Sequence, residues 1–134
     1  MRFSTIVVFS LGGAPGTTTL AVALAAAWPT RGPSVVVEAD AAGGDIAAWR
    51  RLPTFPGLVD LAAAVRTDTA FARVGQQDVL LDHTQVLPGG QRVCVAPTTA
   101  DRAEGAVALL SRHPAVLAPA SAAVTVVDVG RLAP

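Results

Sequence analysis

The 134-residue chain contains no lysine, no tyrosine and a single cysteine. Each absence removes a class of function. One thiol excludes an internal disulfide and a cysteine-built zinc site. Cys94, inside the apolar run Val93–Ala96, reads instead as a small core residue at home in a reducing cytosol. With four phenylalanines and two tryptophans as the only aromatics, a stacking platform for bases is not expected. Ten arginines balance ten acids, so the formal net charge is zero and no broad basic face awaits nucleic acid. Arginine-only basic residues and abundant alanine match a GC-rich codon bias. No run approaches the roughly 20 apolar residues of a membrane span. The N-terminal run Thr5–Leu11 is interrupted by Ser10 and ends in glycines, which suits a buried strand better than a secretion signal. A cytoplasmic protein without a membrane segment is therefore expected.

What is present is a hydrophobic chain. Apolar residues make up 51% and charged residues 15%, which argues for a packed core over disorder. The length fits a single domain, 1–134, that buries about two-thirds of its unfolded surface. The chain is organised around Ser4–Trp28. A β-branched run, Thr5 to Phe9, breaks into a turn holding Gly12, Gly13 and Gly16, and the turn feeds a segment with Leu20, Leu24 and Trp28 at four-residue spacing. That order predicts strand, glycine-rich loop, helix. The first amides of a helix lack intrahelical partners and carry the positive end of its dipole, so the junction favours an anion. Thr17, Thr18 and Thr19 stand where the helix begins. Their amides can hold phosphate oxygens, and one hydroxyl can face Mg²⁺.

At these residues the chain resembles the ParA/MinD family of P-loop ATPases, whose loop usually reads Gly-Lys-Gly-Gly-x-Gly-Lys-Thr-Thr. Here the loop reads Leu11-Gly12-Gly13-Ala14-Pro15-Gly16-Thr17-Thr18-Thr19. Aligned on Gly16 and Thr18, the phosphate-binding lysine becomes Thr17, and the lysine that reaches across an ATP-bound dimer becomes Gly12. Pro15 removes one backbone donor. The resemblance implies that Gly12, Gly13, Gly16, Thr17, Thr18 and Thr19 surround the phosphates of ATP. A hydrogen bond to a charged group is worth about 1.5–3 kcal/mol, so the missing lysine weakens phosphate binding by about one to two decades. Turnover suffers more, because cations at the transferring phosphoryl contribute on the order of 10³–10⁵. With no lysine in the chain, only an arginine or a partner can restore the charge.

Further along, Ser34–Asp40 reads as a buried strand that delivers Glu38 and Asp40 to the edge where ligands gather in open α/β sheets. It resembles the family's second strand, which implies that Asp40 orients or activates the attacking water, with Glu38 in place of a first aspartate. The alternative is that these acids cap the following turn and helix, Asp45 included. A short helix is expected over Ile46–Leu52, ended by Pro53. A second, with Leu58, Leu61, Ala62 and Val65 on one face, follows Gly57. Asp68–Pro88 holds a helical possibility around Phe71, an apolar group at Val79–Leu81 and His83, read as a solvated loop residue. Gln91–Pro97 reads as a strand. Asp101 with Glu104 resembles an N-terminal cap for a helix with Ala103, Ala106, Val107 and Leu110 inward, closed by Ser111, Arg112 and His113. His113 is a helix-end residue, and Pro114–Ala123 adds a helical turn or two.

The run Val124–Gly130 is a last strand ending in Asp128. It resembles the family's Walker B strand, which implies that Asp128 and Thr18 hold the Mg²⁺ shell. The expected fold is α/β and three-layered, a mostly parallel sheet flanked by helices, P-loop NTPase-like and cut short after the Walker B strand. The expected function is a degenerate ParA/MinD-like domain with weak or absent ATP hydrolysis. It would act with a protein partner or as a homodimer in positioning or partitioning cellular machinery. Two alternatives stand beside it. One is an active Mg-ATPase in which Arg131, just after Asp128, replaces the lysine. The other is a dinucleotide-binding Rossmann unit using the acid after the second strand, although the Gly-x-Gly-x-x-Gly order is missing.

Overall fold

In the computed structural model the described residues are 4–11, 16–29, 31–67, 79–119 and 121–132. They form an α/β fold. Five strands, β1 (Ser4–Leu11), β2 (Ser34–Glu38), β3 (Gln85–Val86), β4 (Arg92–Cys94) and β5 (Val124–Leu132), make one sheet in the order β1-β5-β2-β4-β3. The first four in that order run parallel, and β3 closes the far edge antiparallel to β4. Four helices, α1 (Thr17–Ala26), α2 (Ile46–Arg50), α3 (Leu58–Thr67) and α4 (Ala100–Ser111), cover the two faces.

The alternation of side chains along β2 divides the core in two. Val35 and Val37, with Cys94 and Val127, pack against Leu58, Leu61 and Val65 of α3 and Ala106 and Leu110 of α4. Val36, with Val93 and Val126, packs on the other side against Ala21 and Ala25 of α1 and Ile46 of α2. All three β2 valines are wholly buried, as expected for a central parallel strand. Each such residue contributes about 1.5–3 kcal/mol of burial free energy. The expected inward faces of α3 and α4 are borne out: Leu58, Leu61, Ala62, Val65, Ala103, Ala106 and Leu110 are buried, and Val107 packs beside them. Cys94 is buried as a core residue, and burial pushes its thiol well above the usual range.

Several local expectations need correction. Leu20 is 51% exposed, whereas Ala21 and Ala25 are buried. Only small side chains let α1 approach the sheet closely, so Ala21 and Ala25 turn fully inward, while Leu24 and Trp28 pack partly buried against the same core. The last strand does not stop after Gly130; it continues to Leu132, opposite Leu11 of β1. Thr99, not Asp101, is the residue preceding α4, and Asp101 lies in the first turn. Asp101 receives a hydrogen bond from the Thr99 side chain, which holds its carboxyl below the usual range. His83 is half-buried rather than solvated: Nδ1 donates to the Val79 carbonyl at 2.8 Å and Nε2 lies 3.8 Å from Asp60. β3 was not expected from so short a run. The proposed helix around Phe71 lies outside the described residues.

Among the described residues no helix is long and apolar enough to cross a membrane.

Candidate functional site

The junction between the glycine loop and α1 is built on Gly16. Its backbone is left-handed, φ 98° and ψ 0°, a conformation glycine adopts without steric penalty. The Gly16 carbonyl accepts the first intrahelical bond, from the Leu20 amide at 2.8 Å. The amides of Thr17, Thr18 and Thr19 therefore precede the helical ladder, and no side chain caps them. Gly12 and Gly13 lie outside the described residues.

β5 brings its acid to this helix start. Thr18 Oγ1 donates to Asp128 Oδ2 at 2.6 Å, across 110 residues of sequence. The other carboxylate oxygen, Oδ1, accepts from the Gly130 amide at 2.9 Å. Asp128 is fully buried. Burial raises its carboxyl above the ordinary range; the Thr18 and Gly130 bonds pull it down, and the charges of Asp40 and Asp45 raise it further.

Asp40 completes the cluster from the end of β2. The Ala39 amide donates to the Asp128 carbonyl at 2.8 Å, extending the β2–β5 ladder to the residue before Asp40. Asp40 Oδ1 accepts from the Ala42 amide at 2.9 Å, so the chain turns back on its own carboxylate. The carboxylate lies against Gly130, where an added Cβ would overlap it, and Gly130 has φ +74°. Glycine is thus required there both for conformation and for room. Thr18, Asp128, Gly130 and Asp40 share one edge of the sheet, at the C-terminal end of β2.

Glu38 does different work. It pairs in register with Asp128 and is buried. Its Oε2 accepts from the amides of Asp45 at 2.7 Å and Ile46 at 3.1 Å, and Oε1 accepts from Ala96 at 3.0 Å. One carboxylate therefore ties the ends of β2 and β4 to the start of α2. This matches the capping alternative, and it occupies the acceptor positions a catalytic role would use. Burial raises the Glu38 carboxyl; the three amides oppose that, and the Asp128 charge adds to it. Gly44 packs directly on the Glu38 carboxyl, with no room for a side chain. The Gly-Gly-Asp that follows Asp40 was the sequence signal for this clamp.

Arg131 lies in β5 opposite Ser10 and is exposed. Among the described residues no hydrogen bond or ion pair joins it to Thr18, Asp40 or Asp128.

The donor set suits a hard divalent cation. The Thr18 hydroxyl gives its proton to Asp128 and keeps its oxygen lone pairs free, and both groups are oxygen ligands of the kind Mg²⁺ selects. Among the described residues no cluster of three or more His, Cys, Asp or Glu is arranged to hold a metal. A cation here would need ligands beyond the protein, such as phosphate oxygens and water. Compared with known proteins, the chain matches no protein-family model and no curated protein.

Proposed function

We propose that the chain is a degenerate ParA/MinD-like P-loop domain that binds Mg-ATP weakly, turns it over little or not at all, and acts through protein contacts in positioning or partitioning cellular machinery. The observation that carries this reading is the Thr18–Asp128 hydrogen bond, which joins the start of the helix after the glycine loop to the acid of β5, with Asp40 beside it. In this reading the amides of Thr17–Thr19 donate to phosphate oxygens, as would those of Gly12, Gly13 and Gly16 of the loop. Thr18 and Asp128 would hold Mg²⁺, which would neutralise phosphate charge, and Asp40 would orient a water beside it.

Electrostatics explains why binding is weak. Asp40, Asp45 and Asp128 are close enough that the first two raise the third's proton affinity, and Glu38 adds a further buried acid. Phosphates enter this field only with their cation, since no lysine exists to offset it. The exposed position of Arg131 in β5 gives the arginine-substituted ATPase no support.

Thermal melts test the reading. Millimolar Mg-ATP should raise Tm by less than about 3 °C, as expected for a ligand present near its Kd. Thr18→Val should abolish that rise, and hydrolysis should stay at background. A shift beyond about 8 °C, or steady turnover, would favour an active ATPase instead. Stabilisation by NAD but not by ATP, or a shift indifferent to Thr18→Val, would end the P-loop reading.

A further inference from the structure

α3 and α4 pack side by side on the sheet face opposite α1, and between them runs an open groove of about 420 Å³. Its floor is small and apolar, with Ala62 on α3 and Gly105 and Ala106 on α4. Above Gly105 the space is empty: a side chain there would meet nothing within 4 Å. The rim is cationic, formed by Arg66, Arg102 and Arg112, all exposed. The acids of the two helices, Asp60, Asp101 and Glu104, do not line the groove, and Asp60 is engaged with the Gly57 amide and faces His83. Among the described residues none of the three arginines is in an ion pair. In a chain of zero net charge, three exposed guanidiniums around one apolar trough are a local excess, which the exposed Asp101 beside Arg102 offsets only in part.

We propose that this groove is the docking site for an acidic amphipathic helix of a partner protein. Charge fixes the sign of the partner and the floor fixes its shape. Alanine and glycine let a third helix settle into the trough between two others, whereas both walls are helical and offer no free backbone edge for a strand. Arg102 in the first turn of α4 and Arg112 just past its end are ten residues apart, about 15 Å at the helical rise, with Arg66 in the last turn of α3. A small anion cannot bridge that distance. A helix with carboxylates about three turns apart and small or aliphatic residues between them can. The groove is independent of the nucleotide site, and neither proposal needs the other.

The probe is a fluorescein-labelled 16-residue peptide with Leu and Ala on one face and Glu at both ends of that face, titrated by anisotropy into the full chain. A control peptide carries Lys for Glu. An exposed ion pair changes an equilibrium about 1.4- to fivefold, so Arg102→Glu with Arg112→Glu, which replaces two attractions by two repulsions, should weaken binding about fourfold or more. Gly105→Leu fills the trough without touching charge and should weaken it similarly; helix propensity favours its folding. Affinity should fall with added salt, the Lys peptide should not bind, and the Mg-ATP melting shift should be the same in all variants. Equal affinity in the wild type and both variants would overturn the proposal. So would no binding of the Glu peptide at about 1 mM. Arginine-dependent binding to phosphatidylglycerol vesicles tighter than to the peptide would reassign the face to a membrane surface.

Discussion

β1 and β2 look alike as sequence and differ as structure. Both are β-branched runs that end at the same edge of the sheet, one feeding the glycine loop and the other Asp40. Yet Val35, Val36 and Val37 are fully buried, while Val7, Phe9 and Leu11 are 54%, 50% and 74% exposed. β2 lies between β5 and β4 with helices above and below; among the described residues β1 pairs only with β5 and is an edge strand. Ile6 and Val8 pack against the α1-side core, but the alternate residues face the side where α3 and α4 do not reach. Burial is a property of position in the sheet, and a strand's own composition does not report it.

The sharpest way to break the contrast is truncation on each side of it. Leu61→Ala, beneath β2, should cost about 2–5 kcal/mol, while Val7→Ala on β1 should stay within about 0.5 kcal/mol, both read by urea denaturation. Equal losses would mean that β1 is covered in solution. A second test compares two glycines. Gly130→Ala, in the strand between β1 and β2, forces a side chain onto a left-handed backbone and into Asp40, and should destabilise by about 1–3 kcal/mol. Gly105→Ala, in helical backbone with open space, should stabilise by about 0.5–1 kcal/mol.

The smallest effect concerns pH. Glu38 and Asp128, at the centre of the sheet edge, have folded-state carboxyls raised from their ordinary values of 4.5 and 3.8. The folded protein therefore binds more protons than the unfolded chain just above those values. Their stabilising contribution is full below about 4 and is lost as pH climbs through the raised values. Tm should decline from mildly acidic toward neutral pH, and Asp128→Asn should flatten that decline. An unchanged slope in the variant would show that Asp128 titrates as it does in the unfolded chain.

Much of the frame was legible because local physics is strong there. The valine runs, the apolar faces of α3 and α4, and prolines such as Pro53 each limit the chain to one local form, and those elements stand where expected. α1 was less legible, since a helix apolar on nearly every side cannot announce which side turns inward. The short β3 was hidden because two residues carry no period; β4 supplies its ladder. At the site, Thr18, Asp40 and Asp128 were readable as candidates from strand ends and a helix start. Glu38 kept two readings, and three backbone amides from distant segments chose between them.

By itself, then, the sequence determined the α/β alternation, the buried valine strands, the acids at strand ends and the want of any lysine, because periodicity, turn chemistry and composition are local or summed quantities. Tertiary structure alone decided that β5 enters between β1 and β2, that Thr18 meets Asp128, and that three arginines ring one groove. Those facts rest on contacts between residues far apart in the chain, which no local pattern encodes.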